Sequence, residues 1–228
     1  MSEAQFPRCG LCPFKAGERA CCRAGGKHPE DCPSALQAGI RDACLEKVKS
    51  DSALLRFSRE SAWTECEGYS HRDGTPRPAR PRIVEIIDFC RRMGYRRLGF
   101  VFCLGLRQEA AATQKILEAN GFEVVSVVCK VGGVPKSEIG LPPEGQVNPD
   151  CPESMCNPVM QAGICNAMEV DFNILLGLCV GHDSMALQHL RAPATIFAVK
   201  DRLLGNNPLA AIYTLDSYYR YLLEPLSD

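Results

Sequence analysis

From residue 82 onward the chain alternates short apolar segments with segments of helical periodicity, and no other feature limits its fold so strongly. The apolar segments, each bounded by turn residues, are typical of buried β-strands. Strands that alternate with helices form a parallel sheet that is covered on both faces. The predicted strands are residues 97–103, 122–129, 172–179 and 194–199.

The sequence therefore predicts an α/β fold, with a small doubly wound and mostly parallel sheet of about four strands. The flavodoxin-like strand order 2-1-3-4 is expected, because it is common among small sheets of this kind. Gly94 and Gly121 are expected to end two of the helices, and Asn157-Pro158 is typical of a helix start.

Composition changes near residues 35 and 80, which predicts three parts. Residues 1–34 form a cysteine-rich metal-binding module, which holds five cysteines and little apolar periodicity, so that a metal or a partner must stabilise it. Residues 35–81 form a helical segment and a linker, with a proline-rich loop over 71–81. Residues 82–228 form the α/β domain, with cysteines at the carboxyl ends of its strands.

Charge and hydropathy exclude several classes of protein. The net charge of -1 provides no positive field for nucleic acid. No apolar stretch reaches the length of about 18 residues that a transmembrane helix needs. The first residues lack a signal-peptide pattern, so a cytoplasmic location is expected. In that reducing compartment, clustered thiols among the 14 cysteines are expected to bind metal or to act as redox groups.

The first cysteine set has the spacing C-x2-C-x8-C-x10-C-P. It comprises Cys9, Cys12, Cys21 and Cys32, with Cys22 as a spare. Four thiolates satisfy either a tetrahedral zinc ion or a four-iron cluster. The closing Cys32-Pro33 is more like the end of a ferredoxin motif, whereas zinc motifs usually close with a second C-x2-C.

The second cysteine set is expected to converge through folding. Cys103, Cys129 and Cys179 end predicted strands, and Cys156 precedes a predicted helix start. Ligands of parallel sheets bind outside the carboxyl ends of the strands. These four thiols are predicted to bind a cofactor such as a second cluster, or to form a reactive thiol site, although packing alone also explains a cysteine at a strand end.

Polar residues just after the strands are candidates to surround that site. Cys179, His182, Asp183 and Lys200 are the candidates for catalytic roles, although the sequence does not establish whether the protein is an enzyme. Lys130 and Asp201 occupy similar positions. Residues 181–184 also precede a helix, and a phosphate or nucleotide site there is a further alternative.

Several segments together resemble a known family, defined as a domain of unknown function: uncharacterised cysteine-rich metal-binding proteins of anaerobic bacteria and archaea. The segments are residues 103–106, 129–133, 156–158, 177–184 and 199–202, together with the N-terminal cysteines. The resemblance implies metal binding through both cysteine sets, but it implies no particular reaction. Cys22 beside Cys21 and a long linker near 70–81 depart from the family pattern.

The leading hypothesis is an iron–sulfur protein, with a 4Fe-4S cluster favoured and a redox or sulfur-handling role at the sheet edge. A redox partner or a small-molecule substrate is expected, and neither nucleic acid nor a membrane. The alternative is a structural zinc module on a non-catalytic α/β domain that binds a ligand or a partner.

Overall fold

In the computed structural model, which describes residues 6–72 and 74–226, the chain divides into two compact units. The units are Met1–Trp63 and Thr64–Asp228. The division falls between the two boundaries that composition predicts.

The first unit is built from helices and turns and buries almost nothing. Helix α1 (Pro33–Leu36) begins directly after Cys32, and α2 (Ala38–Ser50) and α3 (Ser52–Glu67) follow, with the end of α3 in the second unit. Among residues 6–63, Gly26 is the only buried residue. This part of the chain therefore has no hydrophobic core of its own to stabilise it.

A short antiparallel hairpin opens the second unit. Its two strands, β1 (Tyr69–Arg72) and β2 (Thr75–Pro78), pair with each other. Strand β2 is exposed throughout and contains two prolines, Pro76 and Pro78. The prediction of a loop over residues 71–81 is wrong for these strands. Proline is tolerated here because an edge strand has N–H groups that need no partner in the sheet.

The sheet of the second unit has the predicted architecture. Four parallel strands lie in the order β4-β3-β5-β6, which is 2-1-3-4 when these strands alone are counted along the chain. The predicted α/β fold and its strand order are therefore confirmed. The elements are α4 (Arg82–Met93), β3 (Arg97–Phe102), α5 (Arg107–Ala119), β4 (Glu123–Val128), α6 (Pro158–Ala167), β5 (Phe172–Leu176), α7 (His182–His189), β6 (Ala194–Ala198) and α8 (Leu209–Ile212).

Apolar side chains of the central strands and the helices form the core. Strand β3 is buried along nearly its whole length, as is β5. Cys129 belongs to a cluster of buried apolar side chains, and Cys103 and Cys156 pack against that cluster. The core thus supports the site cysteines from behind. None of the helices in the described part of the chain is long and apolar enough to cross a membrane.

Candidate functional site

The carboxyl ends of β3, β4 and β5 meet at one edge of the sheet, and each is followed by a cysteine. Cys103 comes directly after β3, Cys129 directly after β4, and Cys179 shortly after β5. The N–H of Cys103 donates to the Leu176 carbonyl at 3.0 Å, and the N–H of Cys129 donates to the Phe102 carbonyl at 2.8 Å. Along the chain, β4 is added on one side of β3, and β5 and β6 are added on the other side. Open α/β sheets bind ligands at the carboxyl ends of the two strands where this direction changes, which are β3 and β5 here.

Cys156 reaches this edge from the end of the long loop 130–157. The next residue, Asn157, donates its N–H to the Cys129 carbonyl at 2.8 Å. Its Oδ1 accepts a hydrogen bond from the N–H of Met160 at 3.0 Å, which confirms the predicted helix start at Asn157-Pro158. The hydrogen bond of the cap residue Asn157 to Cys129 therefore holds the neighbouring Cys156 close to Cys129.

Three of the four thiols form one hydrogen-bonded group, with Cys129 between Cys103 and Cys156. The hydrogen bond with Cys129 is the main cause that lowers the pKa of Cys103 to about 5, against the effect of desolvation. The same bond is the main cause that lowers the pKa of Cys156 to about 6. Hydrogen bonds to both neighbours, together with burial, raise the pKa of Cys129. The proton therefore stays on Cys129 and the negative charge on its neighbours.

Each of the three outer thiols has a basic side chain beside it. Positive charge next to a thiol favours the thiolate, which is the form that binds metals and acts as a nucleophile. The Arg202 guanidinium donates from Nη2 to Sγ of Cys179 at 3.1 Å. The pairs are Lys200 with Cys103, Lys130 with Cys156, and Arg202 with Cys179.

Gln161 of α6 holds the ends of two strands together behind the thiols. Its fully buried amide donates from Nε2 to the carbonyls of Phe102 (3.2 Å) and Val127 (2.8 Å). Phe102 directly precedes Cys103, and Val127 lies near the end of β4. Its Oε1 has no hydrogen-bond partner among the described residues, an arrangement that costs free energy and is uncommon in protein cores.

A cavity of about 590 Å³ opens in front of the thiols. Its volume lies within the range of small-molecule sites, about 300–1,000 Å³. All four cysteines of the second set line it, together with basic residues and with apolar residues of the loop 130–157. The lining residues used below are Cys103, Cys129, Cys156, Cys179, Lys130, Lys136, His182, Arg202, Ile139, Leu141, Met155 and Glu153.

The other candidates at this edge differ in their positions. His182 lines the cavity, and Lys200 lies beside Cys103. Asp183 and Asp201 are not among the described residues that line it. The carboxylate of Asp201 instead accepts the N–H groups of residues 203 and 204, as a turn residue does.

The start of α7 gives little room for a phosphate. The N–H groups of His182 and Asp183 both donate to the Cys179 carbonyl, at 2.9 and 3.1 Å. The N–H of Ser184 donates to the Asp183 carboxylate at 2.8 Å. A phosphate at residues 181–184 would need these same donors, so the geometry does not favour that alternative.

The N-terminal cysteines also line one cavity, of about 100 Å³. A backbone bridge between Arg19 and Lys27 closes the turn around it, and a Cβ at Gly26 would lie 2.4 Å from the Arg19 carbonyl oxygen. Only glycine allows this approach. The Cys22 thiol lies 3.8 Å from that of Cys21 and does not line the cavity. The cysteines on the cavity wall are Cys9, Cys12, Cys21 and Cys32.

Both sets thus gather around cavities, but neither is arranged around a single point. Within residues 6–72 and 74–226, no three His, Cys, Asp or Glu side chains are placed so that one metal ion could bind them. The chemistry of the donors still fits a metal centre, since sets composed of thiols suit zinc and iron–sulfur clusters. Zinc would need the four sulfurs within about 4 Å of each other, whereas each thiolate of a cluster binds a different iron.

Sequence reasoning missed the part of the cavity lining that the loop 130–157 contributes. Lys136 and Glu153 form an ion pair that closes the loop 130–157, and Met155 donates its N–H to the Val134 carbonyl at 2.7 Å. The length of that loop was the available signal, because structureless loops longer than about 15 residues are usually functional or disordered. Nothing in the sequence position of Arg202 indicates Cys179 as its partner.

The fold and the edge site define a doubly wound α/β protein with a thiol-lined cavity at the carboxyl ends of β3 and β5. Comparison with known proteins then gives the family. The family model described as "Protein of unknown function (DUF1847)" matches residues 32–197, so the chain belongs to that family. An uncharacterised protein of Methanocaldococcus jannaschii is 40% identical over 185 residues, which is 81% of this chain and 89% of that protein. No solved structure matches the chain.

The matched region contains all four cysteines of the second set but only the last cysteine of the N-terminal set. Cys103, Cys129, Cys156 and Cys179 lie within residues 32–197, as does Cys32. The family description names no metal and no reaction. The geometry of the two cysteine sets is therefore the basis for a functional proposal.

Proposed function

We propose that this protein is an iron–sulfur protein with two thiolate centres, and that the centre at the sheet edge has a redox or sulfur-handling role. One observation carries the proposal. Two sets of four cysteines, each scattered over more than twenty residues of sequence, each line a single cavity. Packing explains one cysteine at a strand end, but it does not explain two such gatherings in one chain.

The first unit supports a cluster in the N-terminal cavity. With Gly26 as its only buried residue among residues 6–63, this unit lacks a core, and metal binding would supply the missing folding free energy. Arg8, Arg19 and Lys27 also line the cavity and would offset the negative charge of four thiolates. Cys32-Pro33 agrees with a ferredoxin-like end of the motif.

At the sheet edge, the residues of this chain already favour thiolates. The protonated thiol of Cys129 is the main cause that lowers the pKa of Cys103 and that of Cys156, so both are mostly thiolates at neutral pH before a metal binds. Lys200 stabilises the Cys103 thiolate, and Arg202 donates a hydrogen bond to Sγ of Cys179. A cluster bound here would supply electron transfer or Lewis acidity next to the cavity.

Removal of each cysteine set should test the two centres separately. The double variants Cys9→Ser/Cys12→Ser and Cys103→Ser/Cys179→Ser are purified anaerobically, and iron, zinc and acid-labile sulfide are measured per chain. Each variant should lose one centre and keep the other. Cys44→Ser, on exposed α2, and Cys151→Ser, in an exposed loop, are matched controls that should keep both centres.

Two results would contradict the proposal. Zinc at one equivalent in a colourless protein, lost in the first variant only, would favour a structural zinc module on a non-catalytic domain. Full metal content in the Cys103→Ser/Cys179→Ser variant would remove the centre at the sheet edge.

A further inference from the structure

The cavity at the sheet edge has two chemically different walls. One wall carries the thiols and the basic groups Lys130 and Arg202, at the ends of strands. The other wall comes from residues 139–155, within the loop 130–157, and presents the apolar side chains of Ile139, Leu141 and Met155. A cavity of about 590 Å³ with these walls suits a small molecule that has a polar end and an apolar end.

The charges of the polar wall determine the sign of its ligand. Glu153 is the only carboxylate among the described residues that line the cavity, and it forms an ion pair with Lys136. Lys130 donates to the Ser154 carbonyl, which carries no net charge. The Lys130 and Arg202 charges are therefore not balanced by a carboxylate within the cavity wall. The thiolates of Cys103 and Cys156 offset two of the three positive charges of Lys130, Lys200 and Arg202, which leaves one positive charge to attract an anion.

The two basic side chains also have donor capacity to spare. A lysine ammonium has three N–H donors and an arginine guanidinium has five. Lys130 places one on the Ser154 carbonyl, and Arg202 places one on Sγ of Cys179. Lys200, in contrast, lies beside Cys103 and is not among the described lining residues, so it serves the thiolate rather than the cavity.

From this arrangement we propose that the cavity binds a small organic anion, a carboxylate or a sulfonate, as the substrate of the thiol site. The anionic group contacts Lys130 and Arg202, and the apolar part packs against Ile139, Leu141 and Met155. The guanidinium can hold a carboxylate or sulfonate through two parallel hydrogen bonds. The inference rests on the proposed function in one respect: the anion is a substrate only if the thiol site carries out a reaction.

Calorimetric titration of the anaerobically purified protein tests the ligand class with four simple probes. Hexanoate has both features, acetate has the charge alone, hexanol has the apolar chain alone, and hexylamine has the opposite charge. Hexanoate should bind at one site per chain, acetate and hexanol at least tenfold more weakly, and hexylamine not measurably. Hexanesulfonate in place of hexanoate distinguishes the two anion types.

Variants locate the binding. Arg202→Gln and Lys130→Met should each weaken hexanoate binding about tenfold or more, because each removes a hydrogen bond between charged groups. Leu141→Asn should weaken hexanoate binding but leave acetate binding unchanged. Lys115→Met, at an exposed position of α5, should bind hexanoate as the wild type does.

Equal binding of hexanoate and hexylamine, or unchanged affinity in both Arg202→Gln and Lys130→Met, would overturn the inference. Metal and sulfide are measured on the same samples, so its failure is distinct from that of the proposed function. Clusters without hexanoate binding would refute the anion site alone. Hexanoate binding without clusters would refute the iron–sulfur proposal alone.

Discussion

At the scale of single residues, the thiols of the sheet edge differ from ordinary cysteines because they share hydrogen bonds. Cys129 is buried and stays protonated between its two neighbours, while Cys103 and Cys156 are half-buried and reach the cavity. A group of this kind has thiolates at neutral pH without needing a metal. This gives a prediction for the metal-free protein.

The alkylation rates of Cys103 and Cys156 should stay high down to acidic pH. Because a thiolate reacts and a thiol does not, the rates should fall only as the pH drops through about 6 for Cys156 and about 5 for Cys103. The measurement is iodoacetamide labelling from pH 4 to 9, read by peptide mass spectrometry. The same chain unfolded in guanidinium is the control, since its thiols titrate with a pKa of about 8.5.

Labelling of Cys103 that rises only above pH 8 in the folded protein would contradict the hydrogen-bonded thiol group. Cys129 should resist labelling over the whole range, because burial and its raised pKa both keep it protonated and covered.

Gln161 is the residue whose replacement best tests the support behind the thiols. Gln161→Glu places a carboxylate against the two carbonyls that now accept from the amide, so it should destabilise the fold by about 3–5 kcal/mol at neutral pH. Burial raises the pKa of such a carboxyl, so part of the loss should be recovered as the pH falls and the group is protonated. Guanidinium unfolding at pH 5 and pH 8 measures both effects.

Gln161→Met is the matched variant, since it keeps the volume and removes the hydrogen bonds. Its cost should be about 1–2 kcal/mol and independent of pH, because two bonds are lost while an unpaired oxygen is also removed. An equal decrease in the free energy of unfolding in the two variants would contradict the role of the amide donors in holding the two strands.

At the scale of elements, the turn after β5 brings Cys179 back over the sheet edge, and Gly177 makes that turn possible. Gly177 has a φ of 64°, and a Cβ there would lie 2.1 Å from Cδ1 of Leu106. Its N–H donates to the Ala198 carbonyl at 2.7 Å, so the backbone cannot easily shift away. Both the conformation and the contact require glycine.

Gly177→Ala should therefore destabilise the protein by roughly 2–4 kcal/mol, from the left-handed conformation and from the overlap with Leu106. Gly163→Ala is the matched control. Gly163 is exposed in α6 and has nothing within 4 Å of an added Cβ, so this change should stabilise the protein by up to about 1 kcal/mol. Chemical denaturation of both variants checks the pair, and a neutral Gly177→Ala would contradict the geometry of the turn.

The loop 130–157 forms the outer wall of the cavity, and Glu153 organises it. Its carboxylate pairs with Lys136 and accepts the N–H of Val147 at 3.3 Å, and its own N–H donates to Oε1 of Gln146 at 3.1 Å. The hydrogen bond with Lys136 is the main cause that lowers the pKa of Glu153. The loop is thus fixed by one acidic residue and its neighbours.

Glu153→Gln should loosen this loop without unfolding the domain. Limited proteolysis should cut within residues 137–152 faster than in the wild type, whereas Glu144→Gln, at an exposed position of the same loop, should leave the rate unchanged. Because the pKa of Glu153 is lowered, its contribution is present above the ordinary value near 4.5 and is lost as the pH falls through the lower, folded value. Equal cleavage of wild type and Glu153→Gln would contradict this role.

At the scale of the whole molecule, the alternation of strands and helices in the sequence predicted the fold and the gathering of cysteines. It did not predict the individual side-chain contacts. Alternating strands and helices fix the carboxyl ends of parallel strands at one edge, so Cys103, Cys129 and Cys179 could be placed together from sequence alone. The hairpin of β1 and β2 could not be predicted, because exposed strands with prolines resemble a linker.

The cationic side of the cavity and its support were also beyond the sequence. The contact of Arg202 with Cys179 and the bonds of Gln161 to Phe102 and Val127 join residues far apart in the chain. No periodicity encodes such contacts, which depend on how α6 and the segment after β6 pack onto the strands. The cysteine pattern also does not identify the metal, because thiolate sets suit more than one metal.

The most direct test of the central claim is the content of iron, zinc and acid-labile sulfide per chain in anaerobically purified protein. Two four-iron centres predict about eight iron and about eight sulfide per chain, with a brown colour and little zinc. Zinc without sulfide, or a protein that binds neither metal while remaining folded, would contradict the account of two thiolate centres.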